Sequence, residues 1–207
     1  MIAIIDYKAG NLASVSNAMD RLMAAYRITS RLPDLEQADA IIFPGVGHAA
    51  PAMRELRQQG VDVWLKETRK PVLGICLGMQ LLYDSTTEGP TETLGIMPGR
   101  LEKFDAGLHK VPHMGWNTVS VLPEHRQHPL LKHIEPDTHF YHVHSYYAPV
   151  TAHTVATSTH AVRFAAIASR DNFMGVQFHP EKSGPAGEQL LRNFLDQVYG
   201  GTRTVPA

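Results

Sequence analysis

A single cysteine stands among the 207 residues, so no disulfide can close within the chain. That argues against an oxidising compartment, where small domains lean on disulfides, and a reducing cytoplasm is the expected location. Neither sign of charge is in excess: 19 lysines and arginines face 20 aspartates and glutamates, for a formal net charge of -1. With no basic block to follow a phosphate backbone, nucleic acid is not an expected partner. No apolar run approaches the roughly 18 residues that a membrane-spanning helix needs. The opening "MIAIIDY" lacks the positive flank and cleavage motif of a signal peptide and reads as a strand. No membrane partner is expected. What remains is ordinary globular material, 43% hydrophobic and 19% charged, enough for one well-buried core. Residues 1–200 are expected to form one domain, with the tail 201–207 fraying because nothing in it can bury.

The first half alternates strand and helix patterns. "IAIID" (2–6) is an apolar run of the kind a buried parallel strand shows, followed by Leu12, Val15, Met19 and Leu22 at helical spacing behind a candidate N-cap, Asn11. "ADAIIFPGVG" (38–47) repeats the plan, then a helix is expected over 50–68 with Gly60 as a possible interruption. "PVLGIC" (71–76) begins a third unit that runs into the helical "LGMQLLYDS". Repeated strand, loop and helix argue a parallel sheet covered on both faces. Between about 94 and 170 strand-like runs dominate, which predicts antiparallel or mixed additions. "FMGVQFHPEKSG" (173–184) adds one more strand and a loop, and Leu190, Leu191, Phe194, Leu195 and Val198 form the stripe of a closing helix.

The one cysteine, Cys76, lies in "GICLG", a G-x-C-x-G pattern between a strand and a helix. This is the cysteine counterpart of a nucleophile elbow, where a sharp turn lifts the nucleophile above the sheet. The following helix would aim backbone N–H groups at the sulfur and at an oxyanion beside it. On this context alone Cys76 can equally be a small core hydrophobe. A thiol nucleophile also needs a base and a group to orient it. Twelve histidines leave the count uninformative; position is better. His179 and Glu181 follow an apolar strand, as Cys76 does, and the carboxyl ends of parallel strands are where sites assemble. If the chain stays extended across His179-Pro180-Glu181, both side chains lie on the same side.

"GICLGMQLL" together with "FHPE" resembles the class I, or triad, glutamine amidotransferases. The resemblance implies a three-layer, flavodoxin-like α/β domain with a mostly parallel central sheet and antiparallel additions. It also implies glutamine hydrolysis through a cysteinyl thioester, with Cys76, His179 and Glu181 as the catalytic set. "PGVG" (44–47) matches the segment that lends an oxyanion donor, at Gly47, alongside the N–H of Leu77. Gly45, Gln80, Ser145 and Tyr146 match substrate-binding positions.

Three further stretches, "IDYKAGNLASV", "KVPHMGWN" and "FYHVHSYY", are similar to the glutaminase subunits of imidazole glycerol phosphate synthases. That similarity implies a heterodimer with a (β/α)8-barrel cyclase subunit, which would use the ammonia in histidine biosynthesis. Asn11, His113, Met114, Trp116, Asn117 and Tyr141 become interface candidates, Trp116 having a core tryptophan as its alternative. Lys8 and Ala9 depart from the Gly-Met usual there. No cofactor is expected, and no metal: His139, His142 and His144 have ligand-like spacing, but no cysteine or carboxylate ligand accompanies them. Competing readings are an amidotransferase serving another acceptor, such as pyridoxal phosphate formation, a cysteine hydrolase, and a non-catalytic binding module.

Overall fold

The computed structural model describes residues 1–8, 11–107 and 109–200; Ala9 and the tail 201–207 lie outside the described residues. Strand and helix alternate first: β1 (Ile2–Ile5), α1 (Leu12–Arg21), β2 (Tyr26–Thr29), α2 (Leu32–Gln37), β3 (Ala40–Phe43), α3 (Ala49–Gln59), α4 (Val61–Glu67), β4 (Val72–Ile75) and α5 (Leu77–Leu81). Short strands follow, β5 (Ser85–Thr86), β6 (Thr91–Glu92) and β7 (Arg100–Lys103), then β8 (His113–Val121), β9 (Thr138–His144), β10 (Tyr146–Tyr147), β11 (Thr154–His160), β12 (Val162–Arg170) and β13 (Phe173–Val176). Helix α6 (Gly184–Tyr199) closes the described chain.

The main sheet has the order β2-β1-β3-β4-β13-β12-β11-β8-β9. Strands β2, β1, β3, β4 and β13 are mutually parallel; β12, β11, β8 and β9 extend them in antiparallel fashion. The inner parallel strands β1, β3, β4 and β13 are buried throughout because helices cover both faces. Alternation assigns Ile2 and Ile4 to a core with α1 and α6, and Ala3 and Ile5 to a second core with α2 to α5. This is the expected three-layer α/β arrangement.

Two elements differ from expectation. Strand β2 and helix α2 carry weak sequence signals, since β2 is an edge strand with Arg27 and Ile28 exposed. A separate sheet, β10-β7-β5-β6, collects strands too short for periodicity. The anticipated break at Gly60 is real: α3 ends there and α4 begins, with φ at +70°. Asn11 stands at the N-cap of α1 but makes no capping bond; its Oδ1 accepts from the Ser14 hydroxyl at 2.7 Å.

Candidate active site

Cys76 follows β4 directly and holds φ +52°, ψ -108°, a strained conformation for a residue with a side chain. Two glycines make the turn feasible. A Cβ on Gly78 would sit 1.8 Å from the Phe43 carbonyl oxygen, and one on Gly74 would lie 2.8 Å from the Met79 nitrogen. Helix α5 therefore starts against the backbone of β3 and β4, closer than side chains permit. It is one turn and a half, shorter than the run 77–85 suggested, and it presents Cys76 at the rim of a cleft of about 490 Å³.

The neighbouring parallel strand, β13, ends beside it. Past β13, Gln177 donates from Nε2 toward the Cys76 sulfur at 3.8 Å, and His179 and Glu181 come next. The His179 Nδ1 meets Glu181 Oε1 at 2.7 Å, with both side chains almost wholly buried. Its Nε2 is buried and makes no hydrogen bond within the chain, while the Cys76 charge acts on the ring. The extended His-Pro-Glu path is not what brings the pair together. Pro180–Lys182 form a 3-10 turn, and that turn swings Glu181 back under the ring. The Ser183 hydroxyl locks it, donating to the His179 carbonyl at 2.7 Å and accepting from the Tyr141 N–H at 2.9 Å. Burial opposes charge on His179, yet the Cys76 charge and the hydrogen-bonded Glu181 carboxylate together raise its pKa to about 10.

Gly47 and Leu77 both line the cleft, as does Gln80, whose Nε2 donates to the Tyr146 carbonyl and to Gln177 Oε1, each at 3.0 Å. Ser145 and Tyr146 complete one wall. Gly45 does not line the cleft; it is buried behind it, where a Cβ would fall 2.1 Å from the Tyr7 hydroxyl and 2.8 Å from Leu77 Cβ, so only glycine packs there. The Gly45 carbonyl accepts the Leu77 N–H at 3.3 Å. Gly47 has φ +100° and no heavy atom within 4 Å of where a Cβ would project. Three cleft residues carry no sequence signal: His48, Glu88 and Lys103. Glu88 sits in an aperiodic turn, and it is the sole carboxylate among the lining residues. Gln177 is readable, because it shares the strand parity of His179.

A family model, Glutamine amidotransferase class-I, matches residues 3–198. A Bacteroides fragilis protein named imidazole glycerol phosphate synthase subunit HisH is 47% identical over 94% of this chain and 98% of its own. Proteins of the same name from Pasteurella multocida and Listeria monocytogenes are 44% and 42% identical, over 95% and 96% of this chain and 98% and 97% of theirs. The chain belongs to the HisH family. Two solved structures share its fold at lower identity. A putative GMP synthase subunit from Thermoplasma acidophilum has TM-score 0.73 at 18% identity, covering 97% of this chain and 94% of that one. A glutamine amidotransferase has TM-score 0.73 at 16% identity, covering 96% and 100%.

Strands β8 and β9 of this HisH chain pair side by side and carry the residues expected at the interface. Met114 and Trp116 point outward and are exposed, and Tyr141 stands opposite Trp116 with ring centroids 6.2 Å apart. Trp116 is therefore not a core tryptophan. His113 is a correction: it is buried on the opposite side of the strand, and the half-buried Asn117 turns the same way to meet it. Inside, His113 Nδ1 lies 3.3 Å and His142 Nδ1 lies 3.2 Å from His144 Nε2. These three rings are close enough to share a metal ion. Hydrogen bonds fix the tautomers of two of them. His144 Nδ1 faces the Tyr146 carbonyl at 2.8 Å and must donate, leaving Nε2 to accept. Asn117 Nδ2 also donates to the Thr159 carbonyl, and Oδ1 accepts from Thr118, so His113 Nε2 accepts and Nδ1 donates. His113 and His144 are thus neutral, in agreement with burial, which lowers His113 to about 4, His144 to about 3 and His142 well below its usual value.

Proposed function

We propose that Cys76 hydrolyses glutamine with His179 and Glu181, and that the ammonia passes to a (β/α)8-barrel cyclase subunit. That subunit makes imidazole glycerol phosphate and aminoimidazole carboxamide ribotide in histidine biosynthesis. The observation that supports this reading most is the buried His179–Glu181 pair, its Nε2 unpartnered, just past the end of the strand adjacent to the one that carries Cys76. Glutamine lies in the cleft with its α-ammonium group toward Glu88 and its amide toward Cys76. His179, its pKa raised to about 10, holds the proton that the thiol gives up, and the sulfur attacks the amide carbon as the thiolate. Glu181 holds Nδ1–H and balances the imidazolium that forms. The oxyanion is held by backbone N–H groups of Leu77 and the 44–47 loop. Collapse of this intermediate returns the proton from His179 to the leaving nitrogen, and ammonia departs. Water, deprotonated by the same imidazole, then cleaves the thioester to glutamate.

The exposed Met114 and Trp116, with the half-buried Tyr141 beside them, suit the partner contact, since a rigid aromatic on a strand anchors an interface at small entropic cost. The chain works in the cytoplasm, as its single cysteine suggests. In the reconstituted complex, Cys76→Ala should abolish glutamine-dependent synthesis and leave synthesis from ammonium salts intact. Glutamine hydrolysis surviving in that variant would overturn the assignment.

A further inference from the structure

The sulfur of Cys76 has two hydrogen-bond partners within the chain, and they favour opposite protonation states. The thiol donates to the Val143 carbonyl at 3.9 Å, a contact that only S–H can make. On the other side Gln177 Nε2 donates to the sulfur at 3.8 Å, a contact that strengthens when the sulfur is negative. Gln177 stands just past β13 and is fully buried. Its own N–H is bonded to the Ala166 carbonyl at 2.9 Å, and the residue before it, Val176, accepts the Cys76 N–H at 2.8 Å. The backbones that carry the amide and the sulfur are therefore tied to each other.

A backbone carbonyl decides which end of that amide faces Cys76. The Tyr146 carbonyl can only accept, so the Gln80 atom 3.0 Å from it is Nε2. The second hydrogen of that nitrogen meets the Gln177 side chain at 3.0 Å, where it requires an oxygen. Gln177 Oε1 is thus engaged by Gln80, and Nε2 is left for the sulfur. His144 Nδ1 donates to the same Tyr146 carbonyl at 2.8 Å and holds it in place. Neither amide can flip without losing a buried hydrogen bond.

Resting on the glutaminase reading above, we propose that Gln177 is a further catalytic residue, the donor that stabilises the Cys76 thiolate, and that Gln80 is the positioning residue that fixes its amide. When the thiol proton moves from Sγ to His179 Nε2, the Val143 carbonyl loses its donor and the Gln177 N–H gains a charged acceptor. Attack on the amide carbon then spends that charge, and the contact weakens as the thioester forms. The donor acts on the activated enzyme before attack and stands apart from the oxyanion site.

The test follows the pH dependence of Cys76 alkylation by iodoacetamide in the complete complex with the cyclase subunit. The mass of this chain is the readout, since Cys76 is its only cysteine. The reagent is neutral and reports the thiolate; kcat/KM for glutamine is measured beside it. In Gln177→Met, similar in length but without an N–H, the acid limb of both profiles should lie about one pH unit higher, roughly a ten-fold loss of rate at any pH on that limb. Gln80→Met should move the alkylation limb the same way and no further, and the double variant should match Gln177→Met. A limb unmoved in Gln177→Met would overturn the proposal, as would a fall at every pH without displacement, which a merely structural role would give. Displacements that add in the double variant would overturn the positioning role of Gln80. Should Gln177→Met fail to fold, Gln80→Met decides alone, and an unmoved limb there is equally adverse. Failure of the glutaminase reading itself would look different: no glutamine turnover by the wild type, or turnover persisting in Cys76→Ala.

Discussion

Leu77 donates its backbone N–H to the Gly45 carbonyl at 3.3 Å, so the donor expected to meet an oxyanion is already engaged within the chain. A long bond of this kind is readily exchanged, but while it stands the oxyanion site offers one donor fewer. Loss of one such donor typically costs about 10²–10³ in rate. The chain alone should therefore turn over glutamine at least about 10²-fold more slowly than the complex with cyclase and its nucleotide ligand. Steady-state glutamate release under the three conditions measures this, and equal rates would refute it.

The His179–Glu181 pair predicts both a kinetic and a stability effect. Replacing Glu181 with Gln keeps the volume but removes the charge that orients Nδ1–H. By the behaviour of orienting carboxylates in triads, kcat should fall by up to about 10⁴-fold with little change in KM. His179 titrates near 6.5 when unfolded and about 10 in the native state. The native state binds the proton more tightly, so this stabilisation is complete below about pH 6.5 and disappears as pH rises toward 10. Denaturant midpoints between pH 7 and 10 should decline in the wild type and decline less in Glu181→Gln.

Much of this site is legible in the sequence. Cys76, His179 and Glu181 each follow an apolar run at a strand terminus, and adjacent parallel strands put such termini together. The internal path is not legible: Glu181 reaches the ring through a 3-10 turn that Pro180 starts, not through an extended segment. Placing His113 at the interface runs against a signal that the sequence does carry. Residues 113 and 117 share strand parity and oppose 114 and 116, so one face could not hold all four. Glu88 and His48 leave no trace, because their meeting depends on a turn 40 residues downstream. Edge strand β2 and the two-residue strands of the small sheet escape notice for want of any burial pattern to read.

The buried cluster of His113, His142 and His144 should make the protein acid-sensitive in the imidazole range. Each ring is held neutral in the fold, so the unfolded chain binds more protons below about pH 6.5, and stability falls as pH drops from there toward 4. Each fully responding histidine contributes up to about 1.4 kcal/mol per pH unit. His142 is the informative position: its Nε2 has no partner, and its ring already packs near Phe164 and Phe178. His142→Phe should leave stability at pH 8 within about 1 kcal/mol of wild type and gain relative to it at pH 5.5. Urea denaturation at the two pH values decides, and an unchanged difference between them would refute the assignment.

Trp116 separates folding from assembly. At 57% exposed, it contributes little to the core, and its ring contact is with Tyr141 on the same outward face. Truncation to Ala should therefore shift the stability of the isolated chain by no more than about 0.5 kcal/mol. As an aromatic anchor it should cost about 2–4 kcal/mol of binding to the cyclase subunit, a fall in affinity of roughly 30- to 1000-fold. Asn117→Ala gives the internal comparison, since that side chain faces inward to His113 and Thr159 and should disturb stability before affinity. Calorimetric titration with the cyclase subunit, beside thermal melts of each free variant, measures both quantities. Wild-type affinity in Trp116→Ala would remove the β8–β9 face from the contact.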